Sequence, residues 1–109
     1  MPFERSKKGM EFKMKYGLSD EIYLKLKEII NKYSKYKFKL FGSRARGNFK
    51  KESDIDLCIE GNMTEQEKIE ILNDFDLLDI PYIIDIVFYE EITKEELKKS
   101  IERDGILYE

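Results

Sequence analysis

The chain of 109 residues has no histidine, no tryptophan, a single cysteine and two prolines. Each shortage excludes something. Without histidine there is no Ser-His-Asp triad and no Cys/His zinc site. Acid–base chemistry near neutral pH then falls to carboxylates, Lys, Tyr or metal-bound water. The lone Cys58 has no partner for an internal disulfide and suits a reducing cytoplasm. No apolar run approaches the roughly 20 residues that span a membrane. The charged opening MPFERSKKGMEFKMKYG is followed by no apolar h-region, so neither a signal peptide nor a membrane partner is expected. The 20 basic and 23 acidic residues nearly cancel, at a net −3, and direct nucleic-acid binding is not expected either.

What is present suits one core. Hydrophobic residues make up 41% and charged residues 39% of the chain, enough for a single domain with no room for a second. Residues 1–15 show no periodicity. They read as an N-terminal extension, as a short added strand around Phe12 to Lys15, or as residues upstream of a start at Met14; residues 16–109 are the domain proper. Ser19, followed by Asp20 and Glu21, opens a helix whose apolar face is Ile22, Leu26, Ile29, Ile30 and Tyr33. Lys37 to Phe41 alternates as a strand. Gly42 to Gly47 leaves it through a short helical turn, and Asn48 to Ser53 is a polar loop. Asp54 to Glu60 is a second strand. Thr64 and Glu67 form a capping box for a helix from Glu65 to Leu78, with Ile69, Leu72, Phe75 and Leu78 as its apolar side. Tyr82 to Phe88 is apolar on both faces, as a central strand would be. A second box, Thr93 to Glu96, starts the last helix, which carries Leu97 and Ile101 and stops at Gly105. Ile106 to Tyr108 would add an edge strand or dock. The economical packing is an α/β (α+β) domain: a small mixed sheet covered by helices on one side.

The chemistry concentrates between Leu40 and Ile59, LFGSRARGNFKKESDIDLCI. Asp54 and Asp56 are two apart on a strand and leave the same face. Two carboxylates so close repel unless a cation lies between them, and hard oxygen donors suit Mg²⁺ or Mn²⁺ bridged to a phosphate. Such pairs are common as plain exposed charges. Asp85 adds weight: inside Ile83-Ile84-Asp85-Ile86-Val87 an unpaired charge is costly to bury, so it must face a cleft or a cation. Gly42-Ser43 offers a tight turn and free backbone N–H groups for phosphates. Arg44, Arg46, Lys50 and Lys51 follow it; Arg44 or Arg46 is favoured for phosphate contact over the lysines. A solvated loop would carry the same charges. The ordered set, from Gly-Ser through Asp-x-Asp to a later third Asp, is more specific than any part.

The set resembles the minimal nucleotidyltransferase family of the DNA polymerase β-like superfamily. The resemblance rests on Gly42-Ser43, the ten-residue gap, Asp54-x-Asp56 and the strand YIIDIVF, and extends from KYGLS to ERDGILYE. It implies a polymerase β-type palm. It also implies Asp54 and Asp56 binding Mg²⁺ with the triphosphate of ATP, Asp85 completing the site, Gly42 and Ser43 holding phosphate, and two-ion chemistry with Mn²⁺ as an alternative. The reaction would transfer a nucleoside monophosphate to a hydroxyl. Family members of this size are often antitoxins that add AMP to a tyrosine of a HEPN-type ribonuclease toxin and form a hetero-oligomer with it. The alternatives are transfer to a small molecule, and neutralisation of the toxin by binding alone.

Overall fold

The computed structural model describes residues 15–109; the extension, the strand near Phe12 and the Met14 start fall, but for Lys15, outside them. Along the chain run α1 (Asp20–Lys32), β1 (Lys37–Phe41), α2 (Ser43–Arg46), β2 (Ile55–Glu60), α3 (Glu65–Asp76), β3 (Ile84–Phe88), α4 (Glu95–Asp104) and β4 (Ile106–Leu107). Short 3₁₀ turns occupy Lys15–Gly17 and Tyr89–Glu91. Local chemistry sets two of the helix starts. Ser19 Oγ accepts the Ile22 N–H ahead of α1. Thr64 and Glu67 close a reciprocal capping box ahead of α3.

Four strands form one mixed sheet in the order β3-β2-β1-β4. β1 is antiparallel to β2 and β4, while β2 and β3 run parallel. One face carries Phe38 and Leu40 from β1 and Ile55, Leu57 and Ile59 from β2, packed under Leu26 and Ile30 of α1 and Ile71 and Phe75 of α3. This is the main core, and burying side chains of this size is worth about 1.5–3 kcal/mol each. Tyr33, the C-cap of α1, donates to Asp74 of α3 at 2.5 Å, and Lys32 pairs with the same carboxylate at 2.9 Å, tying the two helices. The opposite face carries Phe41, Cys58 and Val87, packed with Ile92, Leu97 and Ile101.

The mixed α+β sheet and the helix starts at Ser19 and Thr64 are as expected, but four readings change. Helices cover both faces rather than one, because α4 packs on the face away from α1 and α3. α3 is rotated in part from its expected phase: Phe75 points inward and Leu78 packs against the core as expected, but Ile71 joins them in place of Ile69 and Leu72, which are exposed. β3 is an edge strand, not a central one, and Ile83 just before it is 69% exposed. The Thr93–Glu96 box does not form. Lys94 is the N-cap of α4, which places Glu96 at the second helical position instead of the third, and no side chain caps this helix. Gly105 does end α4, with its N–H on Ile101 O, but at φ −67° rather than in the left-handed region.

Candidate active site

The site forms where β1 ends, at the edge of the face that α4 covers only in part. β1 stops at Phe41 because Gly42 takes φ 74°, a conformation that L side chains rarely adopt. That turn swings the chain directly against β2. A Cβ on Gly42 would meet Asp56 Oδ2 and push the carboxylate aside, so glycine, which the positive φ already favours, lets the backbone pass close to it. Ser43 then begins α2. The first intrahelical bonds are Arg46 N–H to Gly42 O and Gly47 N–H to Ser43 O. The preceding N–H groups of Ser43, Arg44 and Ala45 are the donors a helix start leaves free for an anion.

Sheet register brings the carboxylates together. Phe41, Asp56 and Asp85 are Cα partners across β1, β2 and β3, so Asp56 and Asp85 lie side by side on one face. Asp54 immediately precedes β2 and is exposed. Asp85 is also exposed; as part of an edge strand it escapes the burial cost that its apolar surroundings suggested. Asp56 is half-buried, and its carboxyl is pushed up to about 6, first by desolvation and then by repulsion from Asp85 and Asp54; attraction from Arg46 and Arg44 offsets part of this. Asp56 therefore feels the charge of both Asp85 and Asp54.

Among the described residues, no three His, Cys, Asp or Glu side chains are gathered closely enough to hold a metal ion. Asp54, Asp56 and Asp85, expected as a three-carboxylate metal site, are not gathered into one here. Mg²⁺ keeps several waters and is usually held by one or two carboxylates together with substrate phosphates. The donors here are hard carboxylate oxygens, and the raised Asp56 marks negative charge that a cation would relieve. Asp56 and Asp85, with Asp54 beside them, are the residues that would hold it.

The sequence matches the family described as "Nucleotidyltransferase domain" over residues 21–108. The chain belongs to this family. It is also 34% identical, over 93 residues, to the Methanocaldococcus jannaschii protein named "Putative protein adenylyltransferase MJ1379", spanning 74% of this chain and 92% of the relative. A solved structure described as that of a putative nucleotidyltransferase from Sulfolobus solfataricus aligns with TM-score 0.48 at 20% identity, over 81% of this chain and 79% of the other. The nucleotide is thus the substrate class of this nucleotidyltransferase. Among its described residues, no helix is long and apolar enough to cross a membrane.

The two arginines part company. Arg44 was expected near phosphate, but it is 2% exposed and its guanidinium is occupied. It donates to Ser53 O at 2.8 and 3.2 Å, to Tyr16 O at 3.0 Å and to Lys51 O at 3.4 Å. It also stacks against the rings of Phe49 and Tyr82, at 5.2 and 4.8 Å. Arg44 is a strut that fixes the loop leading into Asp54. Arg46 is exposed, and its charge reaches both Asp56 and Asp104 at the end of α4, so it remains available to phosphate. Phe49 and Tyr82 were missed in the sequence. The signal was there for Phe49, a single aromatic residue in an otherwise polar loop.

Proposed function

We propose that this nucleotidyltransferase transfers AMP from ATP to a tyrosine hydroxyl of a partner protein, a HEPN-type ribonuclease toxin, and acts as the antitoxin of the pair. The observation that carries the reading is the contact of the Gly42 turn with Asp56, in register with Asp85: a phosphate-binding turn and paired carboxylates meet at one point. The name of the Methanocaldococcus jannaschii relative supports a protein acceptor.

Divalent metal, as two Mg²⁺ ions or Mn²⁺, would offset the triphosphate charge and acidify the acceptor hydroxyl when bound at Asp54, Asp56 and Asp85. The chain's own residues do the rest. The Gly42-Ser43 turn and its free N–H groups hold phosphate, and Arg46 adds positive charge. The acceptor oxygen bonds to the α-phosphorus, the bond from that phosphorus to the β-phosphate oxygen breaks, and pyrophosphate leaves with the electron pair. The hydroxyl proton passes to Asp85, whose exposed carboxylate stands beside the reacting centre. Incubation with ATP labelled at the α-phosphate, Mg²⁺ and a HEPN partner tests the reading: label should appear on a partner tyrosine, and an unlabelled partner sinks it.

One observation favours a second reading. Ile69, Leu72, Leu77 and Ile83 leave an exposed apolar surface around α3 and β3, which would allow neutralisation by contact alone. That reading holds if Asp56→Asn still protects cells from the toxin.

A further inference from the structure

β3 uses only one side of its backbone. Ile83 C=O accepts the Ile55 N–H at 2.9 Å, so the alternation of a strand directs the backbone groups of Ile83, Asp85 and Val87 toward β2 and those of Ile84 and Ile86 outward. Among the described residues no strand pairs with this outer edge. The strand Ile84–Phe88 carries no proline and no lysine, the usual devices that blunt an edge. Grooves flank it, the first of mixed polarity and the second mainly apolar. One of about 470 Å³ is lined by Leu72, Phe75, Ile84 and Ile86. Another of about 520 Å³ is lined by Leu72, Ile86, Val87 and Leu97.

We propose that the polypeptide acceptor docks here as a fifth strand, bonded to the backbone of Ile84 and Ile86, with its hydroxyl-bearing residue opposite Asp85. This rests on the reading of the protein as one that transfers AMP to a protein. The row Phe41, Asp56, Asp85 runs across the sheet, and the next strand in that direction lies about 4.8 Å further on. A residue opposite Asp85 projects on the same face as the carboxylates. Its two neighbours in sequence project on the other face, toward Leu72, Ile84 and Ile86. Strand addition therefore supplies what a small catalytic domain needs: main-chain bonds for affinity, pockets for alternate side chains, and one side chain delivered to the reacting groups.

Charge selects the occupant. Exposed Asp76 lines one groove beside Asp85, and Glu91 and Lys94 line the other, where Lys68 pairs with Glu91, so acidic groups outnumber basic ones along the edge. The acceptor is a segment with apolar residues beside the hydroxyl and basic residues beyond them. A second copy of this chain fits poorly, since pairing β3 with β3 brings two Asp56–Asp85 pairs into one neighbourhood and closes both sites.

The test uses the full chain with Mg²⁺, α-labelled ATP and a synthetic peptide of alternating valine and lysine around a central tyrosine. Two further peptides carry N-methyl groups on alternate backbone nitrogens, in one phase or the other. One phase should lose labelling by about tenfold or more, the worth of one or two backbone hydrogen bonds, and the other should keep it. Amide hydrogen exchange at Ile84 and Ile86, followed with the peptide and a non-hydrolysable ATP analogue, should slow by a similar factor. Label without exchange protection and without a phase difference overturns edge docking while leaving AMP transfer to polypeptides intact. Protection without label keeps the docking surface and overturns the transfer reading. Neither label nor protection with millimolar peptide overturns the docking surface.

Discussion

Asp56 and Asp85 are Cα partners in the parallel β2–β3 ladder, and Asp56 bears the cost of that pairing. Its carboxyl titrates near 6 because it is partly desolvated and has Asp85 and Asp54 as neighbours. In the unfolded chain the group returns to its ordinary value of 3.8. Between these two values the native state holds a proton that the unfolded state has released, so stability falls as pH rises through the window and stays reduced above it. In EDTA, Asp56→Asn should melt a few degrees higher than the wild type at pH 8, and the difference should shrink by pH 4. A lower melting temperature for the variant at pH 8 contradicts the repulsion.

The same substitution should remove activity. Loss of a charge placed at the reacting centre costs at least about 10²-fold in rate, so Asp56→Asn and Asp85→Asn should each lose transfer to that extent while remaining folded. Mg²⁺-ATP at 100 times its dissociation constant stabilises a binding-competent protein by about 2.7 kcal/mol. Thermal melts with and without Mg²⁺-ATP should show that gain for the wild type and a much smaller one for Asp56→Asn.

Gly42→Ala and Gly47→Ala separate strain from collision. Both positions have positive φ, 74° and 87°, and each alanine should cost about 1 kcal/mol or more. Around Gly47 no atom lies within 4 Å of an added Cβ, whereas at Gly42 it meets the Asp56 carboxylate. Steady-state kinetics should show transfer collapsing only in Gly42→Ala. Equal losses in the two variants would mean that the Gly42–Asp56 contact does not matter to the reaction.

Arg44→Lys should behave as a stability variant and Arg46→Ala as a nucleotide-binding variant. Lysine cannot reproduce the fork that serves Tyr16, Lys51 and Ser53, and stranded carbonyls cost about 1–3 kcal/mol. Denaturant midpoints should fall for Arg44→Lys, with the KM for ATP little changed well below its melting temperature. Arg46→Ala should raise that KM and leave the midpoint alone. The reverse pattern would return Arg44 to the phosphate.

Acid should act through Glu67. Its carboxyl is held down to about 2 by the Thr64 backbone N–H, then by Lys35 and Tyr36. The stability it contributes is fully present above its ordinary value of 4.5 and is lost as pH falls from there through 2. Glu67→Gln can keep the capping bond without the charge, so its melting temperature should depend less on pH across that window. Parallel curves for the two proteins would refute this.

Local chemistry made much of this molecule readable in advance. Ser19 and the Thr64–Glu67 pair start helices through bonds to residues three positions away, and the Gly42 turn and the three aspartates carry their spacing in plain view. What depends on partners distant in sequence was less readable. α3 carries more apolar residues than one face can hold, and only packing under the sheet decides that Ile71 turns inward with Phe75 while Ile69 and Leu72 stay exposed. The run Tyr82 to Phe88 is apolar on both faces because α3 and α4 approach it from opposite sides, not because it lies in mid-sheet. Arg44 beside the Gly42 turn looks like a phosphate ligand until Phe49, Tyr82 and the carbonyls of Tyr16, Lys51 and Ser53 are seen around it.

The reach of Arg44 to Tyr16 also says where the folding unit must begin. The family match starts at residue 21, yet a chain trimmed to that point would lose Leu18, fully enclosed in the core, and the Tyr16 carbonyl that Arg44 grips. It would keep the aspartates and the Gly42 turn, but Arg44 would lose one of the carbonyls that hold its guanidinium in place. A shortened gene that preserves function must therefore retain the residues from Lys15 onward, outside the span by which the family is recognised.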